Sequence, residues 1–253
     1  MSRLFAIVKR ELLSFFVSPI AYFIIMGFTL LAGYFFFSFL SAFSEAYQRS
    51  SMFGQQPPNL NQIVDALYQT LLVVLVFFIP LLTMRTIADE KSKGTFELLI
   101  TSPVSIFDVV VGKFVALGLV VILMLGLAAF FPFLLCIYGK PEVAPIVSGF
   151  FGVVLYTLAF ISISMAVSSF TENQVVAGVS SMVLLLLLFM VERIAGGAQQ
   201  GLLFAIAQHL SPYRQASVFV MGIVSIKSIV YFVSLIVLGL FVSQRALEAY
   251  RWR

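Results

Sequence analysis

Of the chain's 253 residues, 61% are hydrophobic and only 10% are charged, and the mean hydropathy is +1.09. Soluble domains carry about 25% charged residues because their surface must stay wet, so a water-facing globule is excluded and the apolar excess must meet lipid. The net charge of +4 is scattered over the ends of apolar runs rather than massed on one face, which argues against a nucleic-acid partner.

A single cysteine, Cys136, leaves no intrachain disulfide and no thiolate cluster for a metal. No connection is long enough to fold as a second unit, so residues 1–253 are expected to form one all-α membrane domain. The first long apolar run begins only after Pro19, with no small-x-small site behind it, so no cleavable leader is expected.

In chain order, residues 1–18 come first. At 100° per residue Leu4, Phe5, Val8, Leu12, Phe15 and Phe16 gather on one arc, with Arg3, Arg10, Glu11 and Ser14 roughly opposite. This predicts an interfacial helix that turns into the first span at Ser18-Pro19; the alternative is a frayed tail. Six apolar runs follow, at about 20–43, 67–84, 114–138, 146–168, 175–191 and 228–242, the last starting as early as Val218 if Lys227 snorkels. Most contain the roughly 17–25 residues that a helix needs to cross a bilayer. Pro80 and Pro132 fall inside the second and third runs and predict kinks.

Between the runs, residues 45–65 read as a polar external loop. Residues 194–221 are apolar but broken by Gly196-Gly197, Gly201 and Ser211-Pro212, which predicts short re-entrant external helices. Ten of the fifteen basic residues fall on one side of the implied topology: Arg3, Lys9, Arg10, Arg85, Lys91, Lys93, Lys113, Arg245, Arg251 and Arg253. That asymmetry places both termini in the cytoplasm, consistent with an even number of spans.

Catalytic signatures are missing from the sequence. It has no phosphate-binding loop, no H-E-x-x-H, no G-x-S-x-G and no paired carboxylates within a span. The one histidine, His209, sits in the interrupted external region and reads as a solvated or capping residue. Glu192-Arg193 at an outer boundary form either a gate or ordinary interface charges.

The stretch 85–113 is the most charged, and its signs balance: Arg85, Lys91, Lys93 and Lys113 against Asp89, Glu90, Glu97 and Asp108. A positive-inside bias alone supplies no acids. The segment is therefore either a docking knob for a protein partner or an ordinary charged loop.

The stretch "ADEKSKGTFELLITSPVS…VVVGK" resembles the cytoplasmic loop of ABC-2 type transporter permeases, the gliding-motility type in particular. Three further stretches are similar to the same family: "KRELLSFFVSPIAYF" to its elbow helix, "SSFTENQVVAG" to its tight turn between the fourth and fifth spans, and "LSPYRQASVFVMGIVSIKSIVYFVSL" to its external helices. Lys227 stands where an acidic residue is expected in the gliding type.

The resemblance implies a six-span permease subunit in the bacterial cytoplasmic membrane, with an elbow helix at 1–18, a coupling loop at 85–113 and external helices at 194–221. It implies two copies of a cytoplasmic ATPase partner, which would hold the ATP and magnesium; this chain would bind neither and would not be an enzyme itself. A second permease chain, an envelope accessory protein and membrane lipid are the other partners implied. The ATPase-coupling residues would be Asp89, Glu90, Lys93, Gly94, Thr95, Phe96, Glu97 and Leu98, with Glu172 and Asn173 as a second contact. Two rivals remain at this point, a non-catalytic membrane scaffold and an ATP-independent channel or secondary transporter.

Overall fold

Backbone N–H and C=O groups find no water inside a bilayer, so each apolar run must satisfy them along its own length, as a helix. The computed structural model describes residues 3–92, 94, 105–139, 141–195 and 209–251, leaving aside the side chains of Arg3, residues 192–195 and Arg251. Its helices are α1 (Arg3–Val17), α2 (Pro19–Phe53), α3 (Asn61–Thr83), α4 (Ala88–Ser92), α5 (Ile106–Ala128), α6 (Phe130–Tyr138), α7 (Val143–Ser169), α8 (Gln174–Ala195), α9 (Pro212–Val220) and α10 (Ile226–Arg251). Among the described residues there is no strand, and six helical stretches are long and apolar enough to cross a membrane. They follow the six expected runs in order.

Several boundaries differ from expectation. Residues 45–53 and 61–65 are helical, so the expected polar loop at 45–65 shrinks to 54–60. The 35 residues of α2 extend about 52 Å, well beyond a hydrocarbon core of about 30 Å, so its polar last turns continue outside the lipid. Gly54, at φ 63, closes that helix. The helix α3 stays unbroken through Pro80. The interruption near Pro132 falls at Ala129, between α5 and α6, where the proline ring crowds the carbonyl four residues earlier.

The last span begins at Ile226, later than Val218, because Gly222 at φ 86 ends the α9 turn. It also runs on to Arg251 rather than stopping at 242. Of the interrupted segment 194–221, α9 is a short helix pinned to α7, where Ser148 Oγ donates to the Phe219 carbonyl at 2.8 Å. Residues 196–208 lie outside the described residues.

The helices α3 and α7 form the centre, whereas α2, α8 and α10 keep much of their apolar surface exposed. Between lipid-solvated helices the gain comes from close packing, which small residues permit. Thus α7 turns Thr157, Ser162, Ser164 and Ser168 inward, all fully buried, and α10 meets it at Gly239. A Cβ on Gly239 would stand 2.7 Å from the Ser162 carbonyl carbon, a backbone atom that cannot swing aside. Gly239→Val is expected to destabilise the bundle by about 1–3 kcal/mol through overpacking, seen as a lowered Tm in detergent. An unchanged Tm would mean that α7 and α10 do not touch there.

Candidate functional site at the charged end of the bundle

The helix α1 and the last turns of α10 meet α4 at one end of the bundle. Two turns into α5, Lys113 is 1% exposed. Its neighbour Gly112 lets α1 lie directly on α5, since a Cβ there would be 2.7 Å from Ile7 Cγ2. A buried ammonium is costly unless it is paired and hydrogen-bonded, and Lys113 has three acceptors for its three donors. Its Nζ lies 3.1 Å from Glu11 Oε1, 2.8 Å from Glu90 Oε1 and 2.8 Å from the Thr86 carbonyl.

Arg10 Nη2 bridges the same two carboxylates, at 2.8 Å from Glu11 and 3.2 Å from Glu90. Its hydrogen bond to Glu11 raises the Arg10 pKa further above its ordinary value, against the opposing effect of partial burial. The four charges tie α1, α4 and α5 together.

The other side of α4 is fixed just as firmly. Lys91 Nζ donates to the Ser169 carbonyl at 2.5 Å, at the end of α7, and sits 4.4 Å from the centre of the Tyr250 ring on α10. The Ala88 amide donates to Ser168 Oγ at 3.3 Å, and one turn deeper Thr83 and Ser164 share a hydroxyl hydrogen bond. The five residues of α4 are therefore anchored to α1 and α5 through Glu90, and to α7 and α10 through Ala88 and Lys91. A displacement of α4 would be felt by four helices at once.

The sequence misplaces two members of this cluster. Glu11, expected on the solvated face of α1, is buried with a side chain 9% exposed, while Phe5, Leu13 and Val17 are exposed. The reason is Lys113, whose charge needs a counter-ion inside the protein. Lys113 was itself expected in the loop 85–113, but α5 begins at Ile106, so residues 106–113 are its first two turns. A signal was available: Lys113 stands alone in "VVVGKFVAL", and a lone cation in an apolar run implies a partner.

Of the other expected residues, Asp89 and Glu90 lie on α4, and Gly94 adopts the left-handed φ of 68. Lys93, Thr95, Phe96, Glu97 and Leu98 lie outside the described residues. Glu172 and Asn173 are exposed in the turn between α7 and α8, where Asn173 Oδ1 accepts from the amides of Val175 at 2.9 Å and Val176 at 3.3 Å and so caps α8. Glu192 and Arg193 fall in the last turns of α8, with side chains outside the described residues. At the opposite end, His209 Nδ1 lies 3.1 Å from Lys227 Nζ. Among the described residues, no three His, Cys, Asp or Glu side chains come together as a metal site.

At this end ion pairs, hydrogen bonds and a cation–ring contact join α4 to α1, α5, α7 and α10. Residues 46–242 match the family described as "ABC-2 family transporter protein". No curated protein matches the chain.

Proposed function

The chain belongs to the ABC-2 transporter family, and on that premise we propose that it is the membrane-spanning subunit of a bacterial ATP-binding-cassette transporter. It sits in the cytoplasmic membrane with the charged end, and hence both termini, in the cytoplasm. Two ATPase subunits bind and hydrolyse ATP with magnesium there, and a second permease chain, identical or paralogous, completes the translocation path. In this reading α1 is the elbow helix, and the segment that starts at α4 and turns at Gly94 is the coupling element seated on the ATPase. Within the family the quoted stretches favour the gliding-motility type, from which Lys227 departs.

The observation that carries this reading is the anchoring of α4. It is the start of a charged, Gly-turned segment, and it is bonded on one side to α1 and α5 and on the other to α7 and α10. A push received by the loop beyond Gly94 is thereby shared across the bundle. An ordinary surface loop has no need of such bracing. The polar contacts to the ATPase are assigned to Lys93 and Glu97, with Glu172 and Asn173 as a minor second contact.

The test is affinity purification of the tagged chain in mild detergent, with mass spectrometry and an ATPase assay on what co-purifies. A P-loop ATPase is expected, and Glu97→Lys is expected to remove it by reversing a charge at the interface. A chain that purifies alone and conducts in liposomes would be a channel. One that brings only envelope proteins, with no stimulated hydrolysis, would be a scaffold.

A further inference from the structure

We propose that the crevice where α1 turns into α2 binds the headgroup of a zwitterionic phospholipid of the ethanolamine class, with its phosphate on Arg85 and its ammonium at Glu11 and Asp89. A cavity of about 200 Å³ opens there between α1, α2 and the end of α3. Its polar wall includes Glu11, Ser14, Arg85 and Asp89, and its apolar wall includes Ile20 and Leu81. The volume is below the roughly 300–1,000 Å³ of a pocket for a whole drug-sized ligand. It suits a headgroup whose acyl chains remain in the bilayer, and Ile20 and Leu81, 36% and 43% exposed, offer the path by which they leave.

The depth is right for a headgroup. Leu13 and Val17, on the last turns of α1, are 56% and 81% exposed, and apolar side chains displayed so openly beside a membrane span belong against lipid. One residue further on, at Ser18-Pro19, the chain turns into α2. The bend and its crevice therefore lie at the boundary between headgroups and hydrocarbon.

Arg85 points to the ligand's charge. Its Nη1 donates to Ser18 Oγ at a long 3.4 Å, and its Nε is buried with no hydrogen-bond partner. An orphaned donor on a permanent cation is costly, and a phosphate oxygen is the acceptor that a planar guanidinium engages best. Phosphatidylglycerol carries the same single phosphate charge but brings no cation to the two carboxylates in the same cavity. A primary ammonium instead presents three donors, and a carboxylate has lone pairs enough to accept one beside its protein partners. A choline headgroup carries the same phosphate but no N–H donors.

Native mass spectrometry on the intact chain in detergent, with phosphatidylethanolamine, phosphatidylglycerol and phosphatidylcholine of identical acyl chains, tests the assignment. Wild type is expected to retain the ethanolamine lipid about tenfold better than the other two, and Arg85→Gln to lose about tenfold of that retention. Asp89→Asn should erase the preference over choline. Ser14→Trp, an exposed α1 position at the mouth of the cavity, should block retention without touching Arg85, which keeps the test valid if Arg85→Gln does not fold. Equal retention of the three lipids by wild type, or undiminished retention of the ethanolamine lipid in Ser14→Trp, would overturn the site. So would a rise in Tm with inorganic phosphate as large as that with the lipid, which would make free phosphate the ligand.

Discussion

Replacing Lys113 with methionine is expected to destabilise the purified protein by about 3–5 kcal/mol, the usual consequence of breaking a buried ion pair from one side. Methionine keeps most of the side-chain volume, so little of that loss is cavity formation. What goes is the ammonium that holds Glu11, Glu90 and the Thr86 carbonyl. Arg10 remains, but its side chain is 54% exposed and it contacts each carboxylate from the outer side. Glu11, buried beside α5, is then left without its inner counter-ion.

The double variant Lys113→Met with Glu11→Gln removes the charge from both sides and should recover a substantial part of the loss. That recovery is the signature of direct coupling. Thermal or denaturant unfolding of the detergent-solubilised protein measures both quantities. A single-variant loss below about 1 kcal/mol would place the cluster among solvated surface pairs, as befits Glu45 and Arg49, 3.8 Å apart and 69% and 77% exposed. In that case α4 would not be braced against α1 and α5, and the mechanical reading of the charged end would lose its support.

The spans were legible because lipid imposes a single rule, and 18 or more apolar residues without charge satisfy it in only one way. The helix ends were less so. Residues 44–53 of α2 and 243–251 of α10 are polar enough to read as loop, yet both stay helical. For α10 the reason is tertiary: Ser243 and Leu247 are fully buried, and Tyr250 reaches Lys91. The charged loop drew attention through its balanced signs, and one of its acids, Glu90, lies in the ion-pair cluster with Arg10 and Lys113.

The sequence did not reveal the partners. Glu11 and Lys113 are 102 positions apart, and each alone fits a bland role, one on the polar face of an amphipathic helix and the other as an interface cation. Only the approach of α1 to α5 over Gly112 makes them a pair. Ser168, Ser169 and Tyr250 likewise gain their part from position, since a serine's carbonyl or a tyrosine's ring face has no sequence signature.

Gly94→Pro is expected to abolish co-purification of the ATPase and its stimulated hydrolysis while leaving the Tm of the isolated bundle unchanged. The glycine has φ 68 and donates its amide to the Lys91 carbonyl at 3.1 Å. Proline holds φ near −65° and has no N–H, so it loses both the turn and the bond. The chain beyond it would then leave α4 in another direction.

Space is not the constraint, because a Cβ at Gly94 would meet nothing within 4 Å. That isolates the backbone term. Gly94→Ala should retain assembly but weaken it roughly tenfold, since holding an L-residue in the left-handed region costs about 1–2 kcal/mol. Gly94→Asn, which tolerates that region better, should fall between alanine and wild type. An ordering of Gly, Asn, Ala and Pro in ATPase affinity, with Tm constant, ties coupling to the direction in which the loop leaves α4. Wild-type affinity and hydrolysis in Gly94→Pro would instead move the ATPase contact away from residues 94–104, with the turn at Glu172 and Asn173 as the next place to look.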